Sequence, residues 1–235
     1  MGRAFEFRRA RKEKRWGQMA KSFVKLGKEI AIAVKQAGPD PTMNSRLRVA
    51  MQNAKGVNMP KDRIESAIKR ASSKDEKDYQ EMIYEGYGPH GIAILVECAT
   101  DNPTRTVANI RMYFNRSEGT LGKTGSLEFL FDRIGVFKFP KEGISLDDIE
   151  LDLIDAGAEE VFEEEGEIVV YTDFTAFGAM QKLLEEKNIN VSSAELHRFP
   201  HNVVELNEEQ QEDINKLIEK FEEDEDVQAV FHNMK

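Results

Sequence analysis

From Trp16 onward the apolar positions Met19, Ala20, Phe23, Leu26, Ile30 and Val34 recur three and four apart, the spacing of one helical face. Gly38-Pro39 ends that pattern, because glycine turns readily into left-handed backbone and proline cannot continue a helix. A second pattern, Leu47, Ala50, Met51 and Ala54, stops at Gly56, and a third starts at Pro60 with Ile64, Ala67 and Ile68 on one side. Three short amphipathic helices predict a small helical unit. The stretch from Ser72 to Asp78 is polar and lacks apolar periodicity, so it reads as a linker.

Beyond the linker, strand and helix patterns alternate. Residues 91–99 read as an apolar strand and Pro103 to Arg116 as a helix, capped by Asp101 or Asn102 with proline in its first turn. Ser126 to Phe131 reads as a strand. Then come a strand at Val136 to Phe139, a helix at Leu146 to Ala156, a hairpin of Glu160 to Glu164 and Glu167 to Tyr171 turning at Glu165-Gly166, a helix at Phe174 to Glu186 and a strand at Glu195 to Phe199. That order is βαββαβ, the ferredoxin-like arrangement. Strand, helix and strand patterns at Val203 to Leu206, Glu208 to Glu223 and Val227 to His232 would complete the half unit left open at Phe131. The expected fold class is α+β. It comprises a basic helical domain at 1–78, a discontinuous αβ domain at 79–133 and 201–235, and an inserted ferredoxin-like domain at 134–200.

Charge divides along the same line. Residues 1–70 carry 18 Lys and Arg against 6 Asp and Glu, whereas residues 71–235 carry 15 against 37; the formal total of −10 conceals this split. A positive module on an acidic body attracts a polyanion to one part of the molecule and repels it elsewhere, which points to oriented nucleic-acid binding. The densest run, Arg8, Arg9, Arg11, Lys12, Lys14 and Arg15, lies between Phe5, Phe7 and Trp16. Arginine can bridge phosphate oxygens bidentately, lysine acts as a point charge, and exposed aromatic rings can stack on unpaired bases. Trp16 sits on the apolar helical face and is expected in the core. Lys21, Lys25, Arg46, Arg48, Lys61 and Arg63 extend the candidate interface along the three helices. Arg105 joins it because a cation in the first turn of a helix is poorly explained by capping, and so either pairs with a carboxylate or faces a phosphate.

Other chemistry finds less support. No apolar run is long enough to span a bilayer, and no signal-peptide core is evident, so a cytoplasmic protein without membrane contact is expected. The single cysteine, Cys98, lies in an apolar run and reads as a buried strand residue. Glu118-Gly119-Thr120-Leu121-Gly122-Lys123-Thr124 imitates the end of a phosphate-binding loop, but Ser117 stands where the first glycine belongs and a helix precedes it instead of a strand. His90, His197, His201 and His232 are scattered without metal-ligand spacing, and Glu159 to Glu167 form an acidic hairpin that reads as a solvated face. No cofactor and no enzymatic activity are expected; a metal-dependent hydrolase built on the acidic hairpin is the remote alternative.

Several segments carry a resemblance. They are Asn58-Met59-Pro60-Lys61-Asp62-Arg63-Ile64-Glu65-Ser66-Ala67-Ile68-Lys69-Arg70, Tyr84-Glu85-Gly86-Tyr87-Gly88-Pro89-His90-Gly91, Thr100-Asp101-Asn102 with Arg105-Thr106, and Asp226-Val227-Gln228-Ala229-Val230-Phe231-His232-Asn233. In this order, from about Lys21 to the C-terminus, the chain resembles the YebC/PmpR family. The resemblance implies three domains and a non-enzymatic role in gene expression: a DNA-binding transcriptional regulator or, alternatively, a translation factor associated with ribosomal RNA. Many members open with a Gly-His-Ser-Lys-Trp-like start, whereas this chain has Gly2-Arg3-Ala4-Phe5-Glu6-Phe7-Arg8-Arg9, keeping basic and aromatic character but not the residues.

Overall fold

The structure, a computed structural model, describes residues 3–73 and 78–235, with side chains from Met19 onward. It divides into two compact units, Met1–Tyr79 and Gln80–Lys235. In the first, α1 (Arg3–Ala37), α2 (Ser45–Gly56) and α3 (Lys61–Ala71) bury Ile30, Ala33 and Val34 against Leu47, Ala50 and Ala54 and against Ile64, Ala67 and Ala71. Gly38 ends α1 with φ +87°, its N–H donating to the carbonyl of Val34 at 2.8 Å. The buried Asn44 then serves both helices. Its Nδ2 donates to the carbonyls of Ala33 (2.7 Å) and Gly38 (2.8 Å), and its Oδ1 accepts from Leu47 N–H at 3.0 Å to cap α2. The first helix begins at Arg3 and not at Trp16, because the Ala-, Arg-, Lys- and Glu-rich run ahead of Trp16 contains good helix formers and no proline.

The second unit starts with an antiparallel hairpin, β1 (Gln80–Tyr87) and β2 (Ala93–Thr100), joined through a 3₁₀ turn at Pro89–Gly91. Following α4 (Pro103–Arg116) and the short β3 (Thr120–Leu121), the chain leaves this sheet for some hundred residues. It returns as α7 (Glu208–Glu223) and β8 (Val227–His232), the latter pairing with β2, so the strand order is β3-β1-β2-β8. Ile94, Val96 and Cys98 of β2 pack with Ile110 and Phe114 of α4 and with Ile214, Leu217 and Phe221 of α7. Ala93 and Leu95 pack on the opposite side with Leu127 and Phe131. Burial on both faces explains why β2 reads as a continuous apolar run and why Cys98 is inaccessible.

Between α4 and α7 lies the second sheet: β4 (Phe131–Pro140), α5 (Leu146–Asp155), β5 (Ala158–Glu164), β6 (Glu167–Asp173), α6 (Phe177–Glu186) and β7 (Ser193–Pro200). The strand order β5-β6-β4-β7, antiparallel throughout, is that of a ferredoxin-like βαββαβ unit. Its hairpin turns at Glu165 (φ +51°) and Gly166 (φ +86°), two left-handed residues that match the twist of the flanking strands.

Three elements differ from the sequence reading. Strand β1 was not anticipated, since only Met82 and Tyr84 of its core-facing side are large and apolar and Glu85-Gly86 breaks the pattern. Ser126 to Phe131 is not a strand but a loop and a 3₁₀ turn at Glu128–Leu130, with β4 beginning at Phe131. The cause is the buried Glu85 carboxylate, which takes the N–H groups of Gly125, Leu127 and Glu128. Val203 to Leu206 makes only one parallel bridge, Val204 to Met234, so the first sheet is not a second βαββαβ unit.

Two glycines give a direct test of this packing. A Cβ at Gly86 would lie 2.6 Å from the Thr120 carbonyl oxygen and 2.7 Å from the Phe114 ring. Gly86→Ala should therefore destabilise by about 1–3 kcal/mol through overpacking. Gly27, in α1 with nothing within 4 Å, should instead gain roughly 0.4–1 kcal/mol on substitution by alanine. Urea denaturation of both variants reads the contrast.

Candidate nucleic-acid interface

The candidate cations of the N-terminal unit fall into distinct environments. Lys21 and Lys25 lie four residues apart on one face of α1, Lys21 exposed and Lys25 half-buried. Lys61, at the start of α3, is exposed and lies 3.6 Å from Glu65; Arg63 is exposed and rests over the Phe23 ring at 5.7 Å from its centroid. Arg46 donates to Gln36 at 2.9 Å. Arg48 is half-buried and donates to the carbonyls of Pro41 (2.8 Å) and Thr42 (3.3 Å), so it shapes the α1–α2 connection. The side chains of Arg8, Arg9, Arg11, Lys12, Lys14 and Arg15, and those of Phe5, Phe7 and Trp16, lie outside the described residues, although their backbone belongs to α1.

Arg105 takes the carboxylate option. Asn102 caps α4 by accepting from Arg105 N–H at 3.1 Å, while the Arg105 Nη2 donates to Asp101 (3.0 Å) and Asp226 (2.6 Å). The hydrogen bond to Asp226, followed by that to Asp101, raises the guanidinium pKa further. Asp226 is buried and its Oδ2 also accepts from the hydroxyls of Thr100 (3.1 Å) and Thr106 (2.9 Å). Two segments that stood apart in the sequence, Thr100 to Thr106 and the start of β8, therefore meet in one polar cluster.

The glycine loop behind α4 is also turned inward. Gly122 N–H donates to the Glu85 carbonyl at 2.7 Å, and the Glu85 carboxylate accepts from Gly125 (2.5 Å), Leu127 (2.5 Å) and Glu128 (3.1 Å) N–H groups. Backbone amides arranged in this way form an anion nest, and here an internal carboxylate fills it. Lys123 is exposed beside it. Glu85, Asp226 and the buried Arg198 were missed in the sequence; the available signal was a charged residue standing within or against an apolar strand.

The histidines remain dispersed. His90, His197 and His201 lie by Asp213 (3.2 Å), Glu195 (3.3 Å) and Asp132 (2.8 Å) respectively, and burial lowers the pKa of His232. Among the described residues, no three His, Cys, Asp or Glu side chains are grouped to hold a metal ion. No described helix is long and apolar enough to cross a membrane.

Residues 3–74 match the family description "TACO1/YebC protein N-terminal domain" and residues 79–234 match "TACO1/YebC second and third domain". The chain belongs to the TACO1/YebC family. Similar proteins include one from Parabacteroides distasonis, 63% identical over 100% of this chain and 97% of its own length, and one from Cytophaga hutchinsonii, 62% identical over 100% and 98%; each is named "Probable transcriptional regulatory protein". A conserved hypothetical protein from Aquifex aeolicus, known from a crystal structure, is 35% identical with a TM-score of 0.80, covering 93% of this TACO1/YebC chain and 90% of its own.

Two measurements address the polar cluster of this TACO1/YebC chain. Asp226→Ala removes the acceptor shared by Thr100, Arg105 and Thr106, leaving Arg105 with Asp101 and the two hydroxyls with each other and the Asn102 backbone, and should cost about 3 kcal/mol in denaturant unfolding. Tyr113 donates to Asp224 at 3.0 Å, and burial followed by the Asp224 charge pushes its phenol up to about 12 from an ordinary 10. A raised phenol pKa favours the neutral form in the fold, so this contribution is complete below pH 10 and is lost as pH rises through about 12. Ultraviolet titration of wild type against Tyr113→Phe should show one late-ionising tyrosine that the variant lacks.

Proposed function

We propose that this chain is a non-enzymatic, nucleic-acid-binding regulator of gene expression acting in the cytoplasm, foremost as a DNA-binding transcriptional regulator. The observation that carries the reading is the charge split: 18 cations against 6 anions in residues 1–70, joined to a strongly acidic remainder. The names of its relatives agree with it. The contact surface is the N-terminal unit, with Arg8, Arg9, Arg11, Lys12, Lys14 and Arg15 as its densest part and Lys21, Lys25, Arg46, Lys61 and Arg63 as its extension. Arg48 and Arg105 complete the proposed set, each also holding the fold through its own hydrogen bonds.

A second reading, association with ribosomal RNA as a translation factor, is favoured by one specific observation. The basic run follows directly on Phe5 and Phe7 and carries no evident duplex-reading motif, a composition suited to phosphates and unpaired bases. Crosslinking in cells followed by sequencing of the bound nucleic acid separates the two: promoter DNA supports the first and ribosomal RNA the second.

Both readings share a backbone-driven interface. With about five to eight phosphate contacts, log K for duplex DNA should fall with log salt at roughly −0.9 per contact. Replacing Arg8, Arg9, Arg11 and Arg15 by lysine should weaken binding modestly on every sequence, since charge is kept and the bidentate fork is lost. Replacing them by glutamate should abolish it. Affinity independent of salt, or a loss restricted to one duplex sequence, would contradict the reading.

A further inference from the structure

The ferredoxin-like sheet leaves one face opposite α5 and α6. Strand register assigns its residues: Phe137 pairs with Val170 and faces α6 through Phe177, so Val136 and Tyr171, one position along, face the other way. By the same alternation Phe162 of β5 and His197 and Phe199 of β7 share that open face. Their rings form a continuous row. Phe162 lies 5.2 Å from Tyr171, Tyr171 lies 5.2 Å from Phe199, and His197 lies 6.1 Å from Phe199 and 5.7 Å from Phe231 of β8. All five side chains are partly accessible.

Among the described residues, the charged side chains that the strand register places on this face are carboxylates, apart from Lys138 and the His197 imidazole beside Glu195. Glu160 is directly opposite Tyr171, Glu195 opposite Val136, Glu164 opposite Glu167, and Asp132 opposite Phe199. Lys138 is the cation on this face, 3.6 Å from Glu164. Stacked rings bordered by carboxylates suit a planar cation, which can lie on a ring while its N–H groups reach a carboxylate. A phosphate backbone, in contrast, would meet five carboxylates against one ammonium.

We propose that this face docks an arginine-rich polypeptide segment of a protein partner, its guanidinium groups stacking along the row from Phe162 to Phe231 and pairing with Glu160, Glu164 and Glu195. The surface is distinct from the proposed nucleic-acid interface and stands or falls separately from it. Arginine is preferred over lysine because its planar fork can stack and bridge a carboxylate together. The site thus gives the acidic part of the chain a ligand of its own.

The test uses the full-length protein and a dye-labelled twelve-residue peptide of alternating arginine and serine, followed by fluorescence anisotropy. A lysine–serine peptide is run beside it. Phe162→Leu with Tyr171→Leu removes two rings without changing charge, and Glu160→Gln with Glu164→Gln removes two exposed carboxylates without touching the core. Glu219→Gln with Glu222→Gln, on the exposed side of α7, removes the same charge elsewhere. The expected result is arginine-peptide binding weakened about fivefold or more by the ring pair and by the carboxylate pair, less than about twofold by the α7 pair, with the lysine peptide weaker throughout. The carboxylate variant decides the matter even where the ring variant folds poorly. No peptide binding, or equal losses from all three variants, would overturn the proposal. Loss of oligouridylate affinity in the ring variant would make the row an RNA platform, and concentration-dependent self-association abolished by the same variants would make the occupant a second copy; either also overturns it.

Discussion

The carboxylate of Asp226 closes the second unit. It gathers donors from Thr100, Arg105 and Thr106, while its own carbonyl accepts from Ala99 N–H at 2.8 Å, and the chain passes at once into β8 beside β2. A buried carboxylate supplied with three donors is tolerated, but one deprived of them would be expelled or protonated. The first sheet therefore depends on two segments 126 residues apart meeting in the correct register. Phe131 to Pro200, the second sheet, makes up a little more than half of that span. Loop-closure entropy grows only logarithmically, so roughly doubling the connection adds about 0.6 kcal/mol. An entire sheet can be inserted there at small thermodynamic expense, provided that it folds on its own hydrogen bonds.

The inserted sheet is also fastened at its base. Arg198 of β7 is buried and donates from Nε to Glu97 of β2 at 2.7 Å and from Nη1 to Glu128 at 3.0 Å. Burial alone would lower its pKa, yet the hydrogen bonds and charges of Glu97 and Glu128 outweigh that and raise it. Glu128 in turn has its N–H held by Glu85. The series Glu85, Glu128, Arg198, Glu97 links the first sheet to the second through a loop whose amides are already committed. Such a chain leaves little freedom to either sheet alone, because releasing one buried ion while its partner stays costs several kcal/mol.

Much of this was legible in sequence because periodicity and punctuation are local. The three helices of the first unit, the βαββαβ order and the Glu165-Gly166 turn each follow from neighbouring residues, and the structure places them as read. What escaped depends on distant partners. Ser126 to Phe131 has strand-like composition, but Glu85, some forty residues earlier, captures its amides. Strand β1 carries one fully apolar face only in part and is defined by its pairing with β2 and β3. Arg105 looked like a displaced cation at a helix start; its explanation lies at Asp226, 121 residues on. Charge composition was plain from the beginning, whereas which cations hold the fold was not, as Arg48 at the Pro41 and Thr42 carbonyls shows.

The charge split sets how a polyanion experiences such a molecule. Screening at physiological salt confines electrostatic influence to about 8 Å, so repulsion from the acidic unit acts only on nucleic acid that passes close to it. On the proposed reading, a duplex held by the basic unit is stiff, and bending it by 40–90° away from any carboxylates it meets costs of the order of 1–6 kcal/mol. A short or irregular strand can stop or turn away at no such expense. Under the proposed reading, the carboxylates of the acidic unit would thus disfavour a stiff polyanion more than a short or irregular one, and attraction would rest on the basic helices.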